Sequence, residues 1–286
     1  MNTSTLTTTK IELRPYQQRM VGELYQAIRE GDKRLLWIAL MGLGKTVLAS
    51  WVMRDAAATG KRCVFLVPLT VLIDQTLETL EALGVHCTAL QGAREVDEAA
   101  PVVVASLQTI SSRLSRAQSL EEILGHQDIV LADEAHITSY HSRYSELEVW
   151  VLGNGGITIG MTATPWRLSK KQWLGQKYDH VIVGPQPPEA IKLGAVVPCR
   201  GFRMGEVFDL ETLKVKSTGD YSEGDMSAQA TTDEALEHVV GEWRRLAEGR
   251  PTMMVGSTVV QAEMTSSAFE KAGIKTAVVV GDTPMS

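Results

Sequence analysis

Two short runs carry residue types that can do chemistry. The first is Ala39-Leu40-Met41-Gly42-Leu43-Gly44-Lys45-Thr46; the second is Asp133-Glu134-Ala135-His136. Gly42 and Gly44 let a backbone turn approach a ligand with no Cβ in the way. The N–H groups of such a loop, and of a helix that follows it, attract anionic phosphate. Lys45 would then meet the β- and γ-phosphates and Thr46 a Mg²⁺ ion. In the second run, Asp133 would hold Mg²⁺ through water, and Glu134 would orient and deprotonate the attacking water. Phosphoryl transfer needs this division because its catalysis is mostly positioning and charge stabilisation. Together the runs point to hydrolysis of a nucleoside triphosphate, with Lys45, Asp133 and Glu134 as the catalytic set and the loop from Met41 to Thr46 holding the nucleotide.

These side chains need elements to place them. Leu35–Ala39 is an apolar run long enough for a buried strand, and Thr46–Ala58 is rich in Ala, Leu and Val with no Pro or Gly, so a helix follows the loop. That strand–loop–helix context is what a phosphate-loop match requires. Ala39 departs from the general pattern, which has Gly there. The segment 128–132 reads as another buried strand delivering Asp133 and Glu134 at its carboxyl end, where open α/β sheets bind ligands. Each run also has a plainer account, a glycine-rich turn that binds nothing or a solvated acidic loop. The pairing of the two runs argues against both. His136 and His141 match no zinc spacing; His136 reads as a coupling residue and His141 as a surface residue.

Further strands are expected at Cys63–Val67, Val85–Leu90, Val102–Ala105 and Ile157–Met161, alternating with helical stretches such as 71–83. Such alternation implies a parallel sheet with helices on both faces. The run Gly184-Pro185-Gln186-Pro187-Pro188 ends the regular part of the first domain. Domain one is expected over 1–195, a polar linker over 196–229, and a second α/β unit over 230–286 with helices at 231–248 and 259–272 and strands at 252–255 and 275–280.

Composition sets the bounds. The formal net charge of −6 gives no global basic field, which counts against tight nonspecific DNA binding but leaves room for a local track of amides and hydroxyls. Three widely spaced cysteines fit a reduced compartment rather than a disulfide framework. No apolar run is long enough to span a bilayer, and Met1–Lys10 lacks the apolar core of a signal peptide. The expectation is a cytoplasmic protein without a membrane partner.

Polar groups at other strand ends fill out a second surface. Pro68, Thr70 and Gln75 follow one strand; Ser106, Gln108 and Thr109 follow another. Their hydroxyls and amides could contact a phosphodiester backbone, although Ser and Thr at such places also serve as helix caps. Gln17, in Leu13-Arg14-Pro15-Tyr16-Gln17, can donate and accept at once, which suits the edge of adenine; Pro15 beside it also suits a helix start. Thr162 and Thr164, in Gly160-Met161-Thr162-Ala163-Thr164-Pro165, could link the nucleotide and nucleic-acid sites.

In this order the motifs LRPYQ, MGLGKT, LVPLTVLIDQ, ASLQT, DEAH and TATPWR make the chain resemble a superfamily 2 helicase of the DEAD/DEAH type. The likeness is closer to bacterial and phage helicases of the UvsW and XPB type, and Ile191–Pro198 also looks like that group. It covers residues 11–286 and is most specific before residue 200. The resemblance implies a RecA-like phosphate-loop fold followed by the start of a second RecA-like domain. It implies ATP and Mg²⁺ as cofactors, with Arg14 and Gln17 at the nucleotide. Thr46 and Asp133 would sit at the metal, and His136, Thr162 and Thr164 would couple hydrolysis to movement. It tilts the partner toward DNA over RNA. The later motifs of the family, including its arginine finger, have no counterpart. A chain truncated within the second domain is therefore expected: a helicase or translocase hydrolysing weakly unless a partner chain completes the site, or alternatively an RNA helicase or a catalytically incomplete nucleotide-binding interaction module.

Overall fold

The computed structural model describes residues 12–68, 71–92, 94, 96–166, 174–202, 209–216, 220–281 and 283. Two compact units divide the chain, Met1–Pro198 and Cys199–Ser286. In the first, the elements run α1 (Pro15–Glu30), β1 (Arg34–Ile38), α2 (Lys45–Ala58), β2 (Cys63–Val67), α3 (Val71–Ala82), β3 (Cys87–Leu90), β4 (Val102–Ser106), α4 (Leu107–Leu114) and α5 (Leu120–Leu124). They continue with β5 (Ile129–Ala132), α6 (Ala135–Thr138), α7 (Ser142–Gly153), β6 (Ile157–Thr162), a 3₁₀ turn (Leu174–Lys177), β7 (His180–Val183) and α8 (Pro187–Lys192).

The strands form one seven-stranded sheet in the order β3-β4-β2-β5-β6-β1-β7, and every pairing is parallel. This is the expected RecA-like α/β sheet. Successive side chains on a strand point to opposite faces, and the core divides accordingly. Cys63, Phe65 and Val67 of β2 join Trp37 of β1 in a cluster with α1, α2 and α3. Val64 and Leu66 of the same strand join a second cluster with α4, α5 and α7. Both faces are covered, so the strands read as continuous apolar runs. Each large side chain sealed this way, Phe65 for example, contributes roughly 1.5–3 kcal/mol.

Two features of this unit were not legible as elements. β7 is a short edge strand beside β1, with Val181 and Val183 partly exposed. The Pro-rich break expected to end the regular structure instead starts α8, with proline in its first turn, where the missing N–H costs nothing.

The second unit holds α9 (Glu223–Ala230), α10 (Asp233–Ala247) and α11 (Val259–Lys271). Trp243 and Phe269 meet edge to face at 5.6 Å, and the Ser227 and Thr258 hydroxyls are 2.7 Å apart. The segment 196–229, expected as a linker, includes all of α9 but its last residue, and the division falls after Pro198. Strands were expected at 252–255 and 275–280. Both segments are described, and neither forms one. A strand exists only where a ladder partner satisfies its backbone, and none is present among the described residues; Met253, Val255 and Val279 stand exposed.

Among the described residues no helix is long and apolar enough to cross a membrane. All three cysteines are free: Cys63 is buried, Cys87 half-buried and Cys199 exposed.

Asp128 ties the beginnings of β2 and β5 together. Its carboxylate accepts from the Arg62 N–H at 2.9 Å and from Lys61 Nζ at 2.8 Å. Burial pushes this carboxyl up, but those hydrogen bonds and the Lys61 charge outweigh it and hold it below the ordinary value. A depressed carboxyl contributes stability that is present above its unfolded pKa and lost as pH falls through the folded one. Asp128→Asn is therefore expected to cost about 1–2 kcal/mol at neutral pH. The difference from the parent should close as pH drops below about 4. Urea unfolding at pH 7 and pH 3 measures both.

Candidate active site

The phosphate loop joins β1 to α2. Ala39 is fully buried, and its N–H donates to the Thr162 carbonyl at 2.9 Å, which extends the β1–β6 pairing by one residue. Ala39 is not among the residues with positive φ, so alanine there needs no glycine freedom. The turn itself does: Gly42 has φ 82° and Gly44 φ 77°, a region that side chains rarely adopt. Gly44 is the N-cap of α2 and has no side chain with which to cap that helix end. The first-turn N–H groups are thus left for an anion. Leu43 anchors the loop from beneath, fully buried, while Met41 projects into solvent.

α1 braces the loop from behind. Gln17 Nε2 donates to the Leu43 carbonyl at 3.0 Å, and Tyr16 OH donates to the same carbonyl at 3.3 Å. Gln17 Oε1 accepts the Arg14 N–H at 2.9 Å, satisfying the backbone donor at the start of α1. Gln17, expected at adenine, thus has one donor and its carbonyl oxygen committed to holding the phosphate loop and the helix start. Arg14 is exposed beside it. The contribution of Tyr16 was not foreseen, although an aromatic hydroxyl next to Gln17 was the available signal.

The acids leave β5. The Asp133 N–H donates to the Leu66 carbonyl, and Thr138 Oγ1 donates to the Asp133 carbonyl at 2.9 Å. Glu134 has φ 47° and ψ 50°, a left-handed conformation costing roughly 1–3 kcal/mol in a non-glycine residue. That turn lets the short helix α6 start at once. Burial pushes the Asp133 carboxyl up; the Glu134 N–H and the positive charge of Lys45 oppose it. Lys45 and Asp133 therefore face one another electrostatically.

His136 and Thr162 complete the constellation. His136 Nδ1 lies 3.0 Å from Thr162 Oγ1, 3.3 Å from Glu134 Oε2 and 3.5 Å from Thr164 Oγ1. Thr162 Oγ1 donates to the Thr164 carbonyl at 3.2 Å and accepts the Thr164 N–H at 3.1 Å. A hydroxyl has one proton, so with that proton on Thr164 this network assigns the Nδ1 proton to His136, which then donates to Thr162. Thr162 is thus bonded to the phosphate loop through its carbonyl and to α6 through its side chain.

An oxygen pair from Thr46 and Asp133 suits Mg²⁺, which keeps most of its waters and takes one or two protein oxygens plus phosphate. Among the described residues no group of three or more His, Cys, Asp or Glu could hold a metal, so a metal here would depend on such a sparse protein donor set. His141 caps α7, accepting the Arg143 N–H at 3.2 Å.

The residues expected at nucleic acid emerge from adjacent strands, since Val67 of β2 pairs with Ser106 of β4. Pro68, Gln75 and Gln108 are exposed. Ser106 is buried and caps α4, accepting the Thr109 N–H at 3.2 Å. Its hydroxyl also meets Thr109 Oγ1 at 2.9 Å, so this pair first serves the helix. Thr70 lies outside the described residues, as does Arg167.

A Cβ on Gly44 would stand 2.7 Å from Gln17 Nε2, which is pinned to the loop, and φ would remain unfavourable. Gly44→Ala is expected to lower stability by about 1–3 kcal/mol and to weaken nucleotide binding. Thermal unfolding and titration with a fluorescent ATP analogue would measure the two effects.

Residues 10–167 match the family model described as Type III restriction enzyme, res subunit. A 51.5 kDa protein of a Lactococcus phage (isolate 7-9) is 25% identical over 244 residues, covering 85% of this chain and 48% of that protein. The Type I restriction enzyme EcoAI endonuclease subunit of Escherichia coli is 26% identical over 156 residues, covering 53% of this chain and 19% of that subunit. The chain thus spans about half the length of the first relative and about a fifth of the second. Among solved structures, the UvsW helicase from bacteriophage T4 superposes with a TM-score of 0.45 at 16% identity, over 60% of each chain.

Proposed function

The chain belongs to the family of the type III restriction enzyme res subunit, and on that premise we propose that it is an ATP hydrolase of helicase superfamily 2, coupling turnover to movement along, or separation of, DNA strands. The observation that carries the coupling is Thr162. β6 lies between β1, which delivers the phosphate loop, and β5, which delivers the acids. Thr162 at its end is bonded to both.

In this reading the loop N–H groups and the first turn of α2 bind the phosphates, and Lys45 offsets their charge. Glu134 orients and deprotonates a water, with the His136 ring beside its carboxylate. Thr46 and Asp133 would hold Mg²⁺, which when bound offsets charge on the phosphate oxygens. Pro68, Gln75 and Gln108 would meet the nucleic-acid backbone at the β4–β2 end of the sheet. DNA is favoured over RNA because the family and the Escherichia coli relative are described as restriction enzymes.

The test is steady-state ATP turnover of the chain alone and with single- and double-stranded DNA and RNA. DNA is expected to stimulate. Glu134→Gln should lower turnover about 10²–10⁴-fold with ATP still bound. Thr162→Val keeps the backbone link and should lower turnover roughly 10–100-fold, as loss of other orienting groups does. Stimulation by RNA alone would redirect the substrate; ATP binding without turnover under any condition would remove the hydrolase.

A further inference from the structure

α6, which carries His136 and follows Glu134, has only four residues. A helix this short has no stability of its own, because one turn costs more order than its bonds return. Its alignment must come from outside. The start of the turn is held by Thr138 on the Asp133 carbonyl and by His136 on Thr162. The end is held differently. Ser139, the C-cap residue, is 1% exposed, and its Oγ lies 2.5 Å from the hydroxyl of Tyr178.

Tyr178 reaches α6 from the far side of the sheet order. It follows the 3₁₀ turn and precedes β7, the edge strand paired to β1. Its ring packs with Leu36, Ala135 and Leu174 in a small core separate from the two large ones. The tip of the ring passes over Gly160 of β6. A Cβ there would overlap the phenol oxygen and come within 2.6 Å of Cζ and 2.9 Å of the Ala135 methyl. Glycine at 160 is the space through which the tyrosine reaches the helix. Other hydroxyls in this layer do not substitute for it. Those of Tyr144 and Thr158 are buried nearby, and Tyr144 interacts with the Tyr178 phenol, but neither bonds to Ser139.

The geometry points to Tyr178 as a positioning residue for hydrolysis, its hydroxyl clamping the Ser139 end of α6 across Gly160 so that Glu134 and His136 stay aligned on Thr162. This rests on the hydrolase reading above. It adds that the alignment of the acid turn is set from the β7 edge, through a buried side chain. Because β7 is hydrogen-bonded to the strand carrying the phosphate loop, the clamp also ties the two halves of the site into one frame.

Tyr178→Phe keeps the ring and removes the oxygen; Ser139→Ala removes the other half. Two measurements on the full chain decide the matter. Amide hydrogen exchange of 137–140 should accelerate roughly ten-fold in each variant while β5 and α2 stay as in the parent. ATP turnover should fall roughly ten-fold in kcat with KM unchanged. The double variant should be no worse than either single one, the sign of one shared hydrogen bond. Urea unfolding confirms that each variant is folded. Unchanged exchange in α6 overturns the clamp, and faster exchange with an unchanged kcat overturns its role in hydrolysis. If the parent itself does not turn over, the hydrolase reading has failed separately, and exchange still decides whether Tyr178 holds α6.

Discussion

The site depends on one strand being in the middle. A parallel sheet presents all its carboxyl ends on one edge, but neighbours there are set by strand order rather than by sequence. Here β6 separates the strand of the phosphate loop from the strand of the acids. Nothing on β1 needs to reach β5 directly, because Thr162 meets both. Its carbonyl continues the sheet ladder into Ala39, and its hydroxyl extends that order into His136. A side-chain link of this kind is short and has few alternative geometries. A shift of the phosphate loop along β1 would therefore be felt at the acid turn.

Strain is placed where the chemistry would be. Among the described residues only Ala117 and Glu134 are non-glycine residues with positive φ. Ala117 lies in a turn after α4. Glu134 lies at the step the hydrolysis reading assigns to water activation. Such a conformation persists only where its surroundings over-determine it. Asp133, Thr138, His136, Ser139 and Tyr178 together supply those surroundings. The buried small core beneath α6 is thus a support for the turn as much as a contribution to folding.

Much of this was legible because the periodicities were clean. β1, β2, β4, β5 and β6 are buried on both faces, so they read as largely apolar runs and each was placed within a residue or two. The phosphate loop and the acid turn followed from their positions after strands. What stayed hidden has physical reasons. β7 is short and half-exposed, and its apolar run is only Val181-Ile182-Val183, too short to stand out from a loop. α8 begins with prolines, whose meaning depends on whether a helix lies before or after them. Apolar runs at 252–255 and 275–280 looked like strands because local pattern cannot show whether a ladder partner exists. Gln17 and Ser106 could be read as ligand contacts or as caps, and only coordinates show where their hydrogen bonds go. The Tyr178–Ser139 contact joins residues whose proximity depends on the crossing of β6, which no local spacing reveals.

The grading of the cysteines has a practical side. Burial pushes the Cys63 thiol up to about 12 and the Cys87 thiol up to about 11, so at neutral pH neither offers much thiolate, the form that reacts with maleimides. Cys199 is exposed and sits at the first residue of the second unit. The native chain therefore carries its own selective attachment point: a single dye or spin label would settle at the junction between the units, with no cysteine to remove and the sheet left untouched.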